Sequence, residues 1–533
     1  MEQTLKYTLI FSLLLLFEGL FSQEKYNVVW LVAEDQSSQF FPMYGDESIT
    51  LPALEGLASE SIIYDNAHAT VPVCAPARSS IILGMYPIAI ATHNMRTYNA
   101  YKKDNEPSIG IPSYSPVMAK GVIEFPKYLR AKGYYCTNNA KEDYNMKITD
   151  GTWDESSREA HWRKKEEGQP FFSIFNFNES HESGIWRFGD KELFVDPKDV
   201  EVPPYFPEDS VVRHDLAVNY SNLKRIDDKI GAIIQQLKDD GVYDNTYIFF
   251  YGDHGGPLPR HKRSLRETGL KVPLLVKLPK ALNQGSSRNE ELVSFVDLGP
   301  TVLSIVGIDK PENMHGRAFL GSKVVEEERD YLYASSDRYD ATLEHSRAVR
   351  SRRYKLIRNY RPDLPYAIPV TYREQMPMMK QLRKLSESGK LEGRAALWMR
   401  NSKDSIEFFD LVNDPFELNN LANNPYYRSE LEHHSSVLDS WQEEHNDPGI
   451  YPEKELIMRW DKIRASMVLS APSVKKQHSS FSARNHNRLG NLVYKLPGEA
   501  GWRPYMEELM LPSGTDVKVV HIGLQDSDVL KVE

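Results

Sequence analysis

The sequence predicts an α/β fold in which a large, mainly parallel sheet is sandwiched by helices, followed by a smaller C-terminal α+β domain that contains an antiparallel sheet. Three observations carry this expectation. Continuous β-rich apolar runs recur at Tyr26 to Ala33, Phe171 to Phe177 and Thr246 to Tyr251, the texture of strands buried on both faces. Each is followed at once by polar or glycine-rich residues, as in sheets whose strand C-termini carry a site. Between the second and third runs, Asp215 to Lys238 places Leu216, Leu223, Ile226, Ile230, Ile233, Ile234 and Leu237 at helical spacing, so strand and helix alternate.

The chain has 533 residues, 41% hydrophobic and 26% charged, an ordinary globular composition long enough for one large core and a smaller one. Its formal net charge of −10 argues against nucleic acid as a partner, because phosphate contacts need clustered Lys and Arg. An anionic substrate then requires a local basic pocket. Residues 1–22 run from Lys6 through the apolar segment Tyr7 to Phe17 and end in the small residue Ser22, the pattern of a cleaved secretory signal. Its apolar run is shorter than the roughly 20 residues of a bilayer span. The mature protein is therefore expected to be exported, to the periplasm or beyond, with no integral membrane segment.

Only Cys74 and Cys136 occur in the chain, so no disulfide scaffold stabilises it, although one bridge remains open. Cys136 lies in the short aromatic run after Gly133 and reads as a small buried hydrophobe. Phe295 to Ile308 reads as a helix with Pro300 near its start. After about residue 325 the texture changes. Arg347 to Asn359 alternates like a two-sided strand, Phe408 to Leu411 resembles another, and Arg428 to Glu444 has the pattern of a packing helix. Beyond about Ser470 the chain is polar, then strand-like near Val517 to Ile522, with no role assigned. The expected division is 1–22, 23–325, 326–470 and 471–533.

The most informative segment is Cys74-Ala-Pro-Ala-Arg78-Ser-Ser followed by Ile81-Ile-Leu-Gly84. It resembles the signature of the type I sulfatases of the alkaline-phosphatase superfamily, in which the cysteine is oxidised after synthesis to formylglycine. The resemblance implies the hydrated aldehyde at position 74 as nucleophile, Pro76 and Arg78 as determinants of the modification, and Arg78 beside the nucleophile. It also implies a partner, either a formylglycine-generating enzyme or an anaerobic sulfatase-maturating enzyme. One hydroxyl of the hydrate attacks sulfur, and the other then loses its proton so that bound sulfate is eliminated, an exit that serine lacks.

A hydrate becomes a usable nucleophile when a cation stabilises its alkoxide. Glu34-Asp35 and Asp253-His254 stand at two strand ends and, with Cys74, match in chain order the metal ligands of the family. The family usually has Asp-Asp at the first place and often Asp-Asn-Gly at the second. Carboxylates suit Ca2+, the first expectation, whereas the His254 imidazole suits Mn2+ or Zn2+. The Asp-His-Gly form is also similar to zinc phosphohydrolases of the superfamily.

Sulfate binding and protonation of the leaving oxygen call for basic groups. His181 ends a segment similar to the family's strand with a substrate-binding histidine. Lys262 aligns with the sulfate-contacting lysine through Glu267, Gly269 and Pro273. Lys141 falls where the family has Gly-Lys-x-His, and Asp143 stands in place of that histidine. Further segments at Asp297 to Thr301, Arg350 to Leu356 and Phe409 to Ala422 keep the family's order, so the resemblance spans about residues 25 to 445. It extends to bacterial polysaccharide sulfatases and heparan N-sulfatase-like enzymes.

The polar, aromatic insertion Met95 to Pro116, with Arg96, Lys102 and Lys103, suits sugar stacking and pairing with acidic groups, or is an ordinary surface loop. His93, Arg96, Trp186, Arg260 and Arg338 are the candidate substrate-binding residues. The expected function is sulfate-ester hydrolysis on a carbohydrate, with a marine polysaccharide such as ulvan as one instance. Two alternatives stay open: phosphodiester or phosphonate monoester hydrolysis, prompted by His254, and non-catalytic binding of sulfated glycans.

Overall fold

A computed structural model of the chain describes residues 25–98 and 111–533. The expected signal segment and the central part of the insertion, with Lys102 and Lys103, lie outside the described residues. In chain order the first strands are β1 (Asn27–Ala33), β2 (Ser61–His68), β3 (Tyr135–Asn139), β4 (Glu155–Ser156), β5 (Phe171–Phe177), β6 (Thr246–Gly252), β7 (Leu274–Lys277) and β8 (Ser287–Ser294). They form one sheet in the order β4-β3-β5-β1-β6-β7-β2-β8. From β4 to β6 all pairings are parallel, as is β2 with β8, and β7 is antiparallel to both its neighbours. The three apolar runs are β5, β1 and β6, side by side at the centre, so their C-terminal ends open at one edge.

The pleat of β1 divides the core. Val29, Leu31 and Ala33 face one cluster, while Val28, Trp30 and Val32 face the other. The first face is covered by the helix Ser210–Asp239 through Leu216, Leu223, Ile226 and Ile230. This helix begins at Ser210 rather than Asp215 because the Asp209 carboxylate accepts the Val211 amide at 2.8 Å, satisfying a donor of the first turn. Helices Cys74–Leu83 and Leu298–Ile305 cover the opposite face. There Trp30 meets Phe172 and Tyr251 edge-on at 5.0 and 5.6 Å, and burying a ring of that size contributes roughly 4 kcal/mol.

Two expectations are corrected. Phe295 to Ile308 is not one helix: Ser294 and Asp297 form a capping box over a 3-10 turn at Phe295–Asp297, the α-helix runs Leu298–Ile305, and Gly307 ends the segment at φ 77°. Arg347 to Asn359 is not one strand but a hairpin. Strands β9 (Leu332–Ser336), β10 (Ser346–Arg350), β11 (Tyr354–Asn359) and β12 (Ile406–Asp410) form an antiparallel sheet ordered β12-β11-β10-β9. The hairpin closes where Ser351 donates its amide to Tyr354 O at 2.8 Å, without the Gly or Pro that marks a turn in sequence. Helix Arg428–Glu444 packs Leu438 and Trp441 against Val349, Leu356 and Phe408.

The last segment carries β13 (Ser473–Gln477), β14 (Ser480–Arg484), β15 (Asn491–Lys495), β16 (Arg503–Pro504), β17 (Asp516–Val520) and β18 (Leu530–Lys531). β17 is the strand expected near Val517. It folds back on the large sheet region, where Arg130 Nη1 donates to Trp502 O at 2.7 Å and Lys518 pairs with Asp150 at 2.5 Å. Gly523, at φ 88°, passes so close to Pro116 O that a Cβ would sit 2.1 Å from it. Cys74 and Cys136 are both free and buried, so the one bridge the sequence allows is not formed.

In the C-terminal region, buried Arg347 lies between Asp447, at 2.6 and 2.7 Å, and Asp337, at 3.1 Å. Burial raises Asp447, but Arg347 and the Gly449 amide outweigh it and hold the carboxyl well below its usual range. Such a group stabilises the fold above its unfolded pKa of about 4 and stops doing so as pH falls. Asp337 acts in the opposite sense, since burial raises it to about 6 and stability declines as pH rises from its unfolded value through that point. Asp447→Asn is expected to cost about 3 kcal/mol at neutral pH, because buried Arg347 loses the closer of its two carboxylates and keeps only Asp337. Calorimetric melting of both proteins checks this, with the gap narrowing below about pH 4.

Candidate active site

The loops after β1, β3, β5 and β6 and the helix after β2 converge at one edge of the sheet. Glu34 and Asp35 follow β1, Lys141 follows β3, His181 follows β5, and Asp253 and His254 follow β6. Cys74 is the first residue of its helix and is buried. Asp35 adopts φ 53°, a left-handed conformation costing roughly 1 kcal/mol for a residue with a Cβ. The Asp35 amide donates to Asp253 Oδ1 at 2.9 Å, and Asp35 Oδ2 accepts the Glu182 amide at 2.7 Å, which fixes this turn. The loop after β6 requires Gly255, because a Cβ there would meet Thr268 O at 2.1 Å.

Cys74 Sγ lies 3.2 Å from His254 Nε2, 3.4 Å from Lys262 Nζ, 3.5 Å from Glu34 Oε1 and 3.6 Å from Asp35 Oδ1. Possible ligand atoms form two overlapping groups, Glu34, Asp35, Cys74 and His181, and Asp35, Cys74, Asp253 and His254, with the atoms inside each group within 4.8 Å of one another. The donor set fits a divalent cation. His254 Nδ1 lies 2.9 Å from Gly255 O, an acceptor only, so Nδ1 carries its hydrogen and Nε2 faces inward. Nε2 sits 3.0 Å from Asp35 Oδ1, a contact that attracts only when a shared proton or a metal ion lies between them.

Basic groups surround the cluster. Lys262 Nζ donates to Asp35 Oδ2 at 2.7 Å and lies 3.4 Å from Glu182 Oε1. Burial lowers Lys262, but the Asp35 and Glu182 carboxylates outweigh it and keep it protonated. Arg78 Nε donates to Asp253 Oδ2 at 3.0 Å and Nη1 to Asn176 Oδ1 at 2.7 Å, while Nη2 is buried without a partner. Lys141 pairs with Glu34 and lies 3.7 Å from Asp143. Burial and Lys262 lower Lys141 against the pull of Asp143 and Asp253. Burial and Lys262 also push His181 down to about 3. Its Nδ1 accepts the Ser183 amide at 3.2 Å, leaving Nε2–H as a neutral donor. Burial raises the Cys74 thiol well above its ordinary value, with Asp35 and Asp253 adding to the shift and Lys262 opposing it.

The remaining expected residues are spread out. Arg96 pairs with Asp340 at 3.0 Å and lies 5.8 Å from the Tyr372 ring. Trp186 meets that ring edge-on at 5.1 Å, and His181 is 5.9 Å from it, so Arg96 and Trp186 share a rim with His181. His93 is buried, lowered to about 4 by burial and Arg347. Arg338 is tied to Glu453 at 2.6 and 2.8 Å. Arg260 donates to Phe416 O and lies 4.4 Å over the Tyr205 ring. None of these three has a contact with the Cys74 cluster.

Sequence reasoning missed Glu182, Arg263, Asn176 and Tyr372. Glu182 receives two bonds from Arg263, at 2.6 and 2.8 Å. Its only sequence signal is adjacency to His181, as Arg263 is adjacent to Lys262. Tyr372 arrives from the C-terminal region with no local signal.

Comparison with known proteins gives concordant results. A family model described as Sulfatase matches residues 26–308, and one described as N-sulphoglucosamine sulphohydrolase, C-terminal, matches residues 254–368. The chain is 38% identical to an ulvan-active sulfatase of Formosa agariphila, over 96% of this chain and 91% of that protein. It is 26% identical to human N-sulphoglucosamine sulphohydrolase, over 82% of this chain and 94% of the relative. Among solved structures, one in complex with its substrate D-glucosamine-2-N,6-O-disulfate superposes with TM-score 0.58 at 15% identity, covering 80% of this chain and 100% of that one. A phosphonate monoester hydrolase of Agrobacterium radiobacter gives TM-score 0.56 at 13% identity, covering 80% and 97%. At such identities the structural likeness speaks to the fold.

Proposed function

The chain belongs to the sulfatase family, enzymes that hydrolyse sulfate esters, and from that premise we propose that it desulfates a sulfated carbohydrate using a formylglycine at position 74 and one divalent cation. The observation that carries this reading is the position of Cys74 Sγ, 3.2 to 3.6 Å from His254, Lys262, Glu34 and Asp35. An unmodified thiol is poorly suited to the task, since it offers no second hydroxyl from which bound sulfate can be eliminated. A hydrate hydroxyl on the same Cβ would occupy about the place of Sγ.

Glu34, Asp35, Asp253 and His254, with the oxygen on residue 74, would hold the cation, which when bound favours the alkoxide of the hydrate and draws a sulfate oxygen. The three carboxylates favour Ca2+, and His254 also admits Mn2+ or Zn2+. Arg78 orients Asp253. Lys262 stays charged beside the nucleophile and offsets the sulfate charge. His181 donates through Nε2 toward the ester, and Lys141, made more acidic than an ordinary lysine, supplies the proton to the leaving oxygen. Arg96, Trp186 and Tyr372 form the rim on which the sugar rests.

The relative named for ulvan supports a sulfated marine polysaccharide of that type as substrate. The signal-like residues 1–22 support export to the periplasm or beyond, and no described helix is long and apolar enough to cross a membrane. Maturation needs a formylglycine-generating or anaerobic sulfatase-maturating enzyme. The sheet region to about residue 325 carries the chemistry, and the region to about 470 contributes Tyr372.

His254 favours one further reading, phosphodiester or phosphonate monoester hydrolysis on the same site. Matured enzyme is expected to release sulfate from ulvan oligosaccharides and an aryl sulfate, and to turn over an aryl phosphodiester about a hundredfold more slowly, a discrimination near 3 kcal/mol. Chelation is expected to abolish both activities and to lower the melting temperature, with Ca2+ restoring them. The opposite rate order would move the phosphoester reading ahead, and sulfated oligosaccharide bound without release would leave a non-catalytic binder.

A further inference from the structure

A second cleft, of about 160 Å3, opens between the 260–266 loop and the C-terminal region. The catalytic cluster does not line it. Arg260 and Lys262 lie two positions apart on one loop yet face different sites: Lys262 Nζ bonds Asp35, whereas the Arg260 guanidinium donates to Phe416 O. Arg260 adopts φ 66°, and its backbone is held by Thr268 Oγ1, which donates to Arg260 O at 2.8 Å.

Four guanidiniums reach the cleft: Arg260, Arg266, Arg394 and Arg400. Two are neutralised, Arg266 by Glu407 and Arg400 by Asp404 at 3.1 Å. The third carboxylate nearby, Glu417, pairs with Lys355 at 3.0 Å and accepts the Glu267 amide at 2.6 Å, so it reaches Arg260 through its charge and not through a hydrogen bond to Nη1. Arg394 is exposed and makes no ion pair among the described residues. Arg260 is only 4% exposed, and its Nη1 is buried with no partner. Burial and the neighbouring Arg266 charge lower Arg260 to about 10 against the pull of Glu417 and Glu407. A buried, unpaired guanidinium N–H is rare because desolvation goes uncompensated.

We propose that this cleft is an oxyanion site, separate from the catalytic centre, that takes a sulfate or carboxylate group on the Arg260 and Arg394 guanidiniums. Planar oxyanion recognition is what arginine forks provide, and the Tyr366 and Trp398 rings that also line the cleft suit an attached sugar. The group comes from one of two sources. It is an acidic substituent on a distant sugar of the glycan, an assignment that rests on the proposed substrate, or it is free inorganic sulfate, the product of the reaction.

Crystals of the matured, metal-loaded enzyme soaked in selenate locate the site by anomalous scattering. Selenate is expected in the cleft, beside the Arg260 and Arg394 guanidiniums that line it, in the wild type and absent in Arg394→Glu, whose exposed position leaves the fold intact. A cleft without selenate, at a concentration that fills the catalytic centre, overturns the proposal whether or not the enzyme proves to be a polysaccharide sulfatase. If the glycan supplies the group, Arg394→Glu lowers kcat/KM on the polymer about tenfold relative to that on a small aryl sulfate, the equivalent of one charge-assisted bond. If free sulfate is the ligand, that ratio holds and inhibition by added sulfate weakens instead.

Discussion

Replacing Cys74 by alanine is expected to reduce sulfate release by about 10^4-fold or more, while the fold survives with a stability change of about 1 kcal/mol. The two effects separate because of what the side chain touches. Sγ packs among Glu34, Asp35, His254 and Lys262 at 3.2 to 3.6 Å, yet those groups are held by one another, through Asp35 with Lys262, Asp253 with Arg78 and Lys141 with Glu34. Removing sulfur therefore deletes the reacting atom without unravelling its frame. Cys74→Ser gives a sharper result. A serine oxygen can attack sulfur but offers no second hydroxyl for elimination, so one equivalent of alcohol is released and the variant's peptide spanning position 74 becomes heavier by one sulfuryl group. In wild-type protein from a maturation-competent host, the peptide spanning Cys74 is expected to be lighter by the exchange of sulfur and two hydrogens for one oxygen. Active protein with an unmodified Cys74 sinks the formylglycine assignment, and so does full turnover by the serine variant.

The parts of the molecule that can be read in sequence share a physical reason. β1, β5 and β6 are buried on both faces, so their composition alone announces them, and their strand ends locate Glu34-Asp35 and Asp253-His254. The helix Ser210–Asp239 shows its 3.6-residue period over many turns. The hairpin at 351–353 is hidden because its turn is closed by a serine between arginines rather than by Gly or Pro. The antiparallel β7 is equally invisible, since strand order arises from packing and not from local pattern. In the site, residues with chemical side chains at strand ends are legible, whereas their partners are not. Glu182 matters because Lys262 and Arg263, some eighty positions away, fold onto it, and Arg260 and Arg338 look alike as exposed basic residues until burial beside Phe416 and Glu453 separates them from the nucleophile.

The variant Lys262→Met is expected to damage both activity and stability, and the two losses can be told apart. Its ammonium is 1% exposed and lies between Asp35 and Glu182, themselves 0% and 1% exposed. Methionine fills nearly the same volume but leaves Asp35 without its strongest cation. Breaking a buried pair in this way destabilises by about 3 to 5 kcal/mol. Glu182 retains both bonds from Arg263, so the lower end of that range is expected. A bound cation beside Asp35 should restore part of the loss, and the melting temperature of the variant should therefore depend on metal concentration more steeply than that of the wild type. The catalytic loss has another origin. Lys262 stands 3.4 Å from the reacting position, where it offsets charge on the sulfate, and removing one such preorganised cation lowers kcat/KM by about 10^2 to 10^3-fold. Metal that restores stability should leave this loss in place. Kinetics at saturating metal, well below the melting temperature, provide the check: recovery of activity together with stability would make Lys262 a structural residue and remove it from the sulfate site.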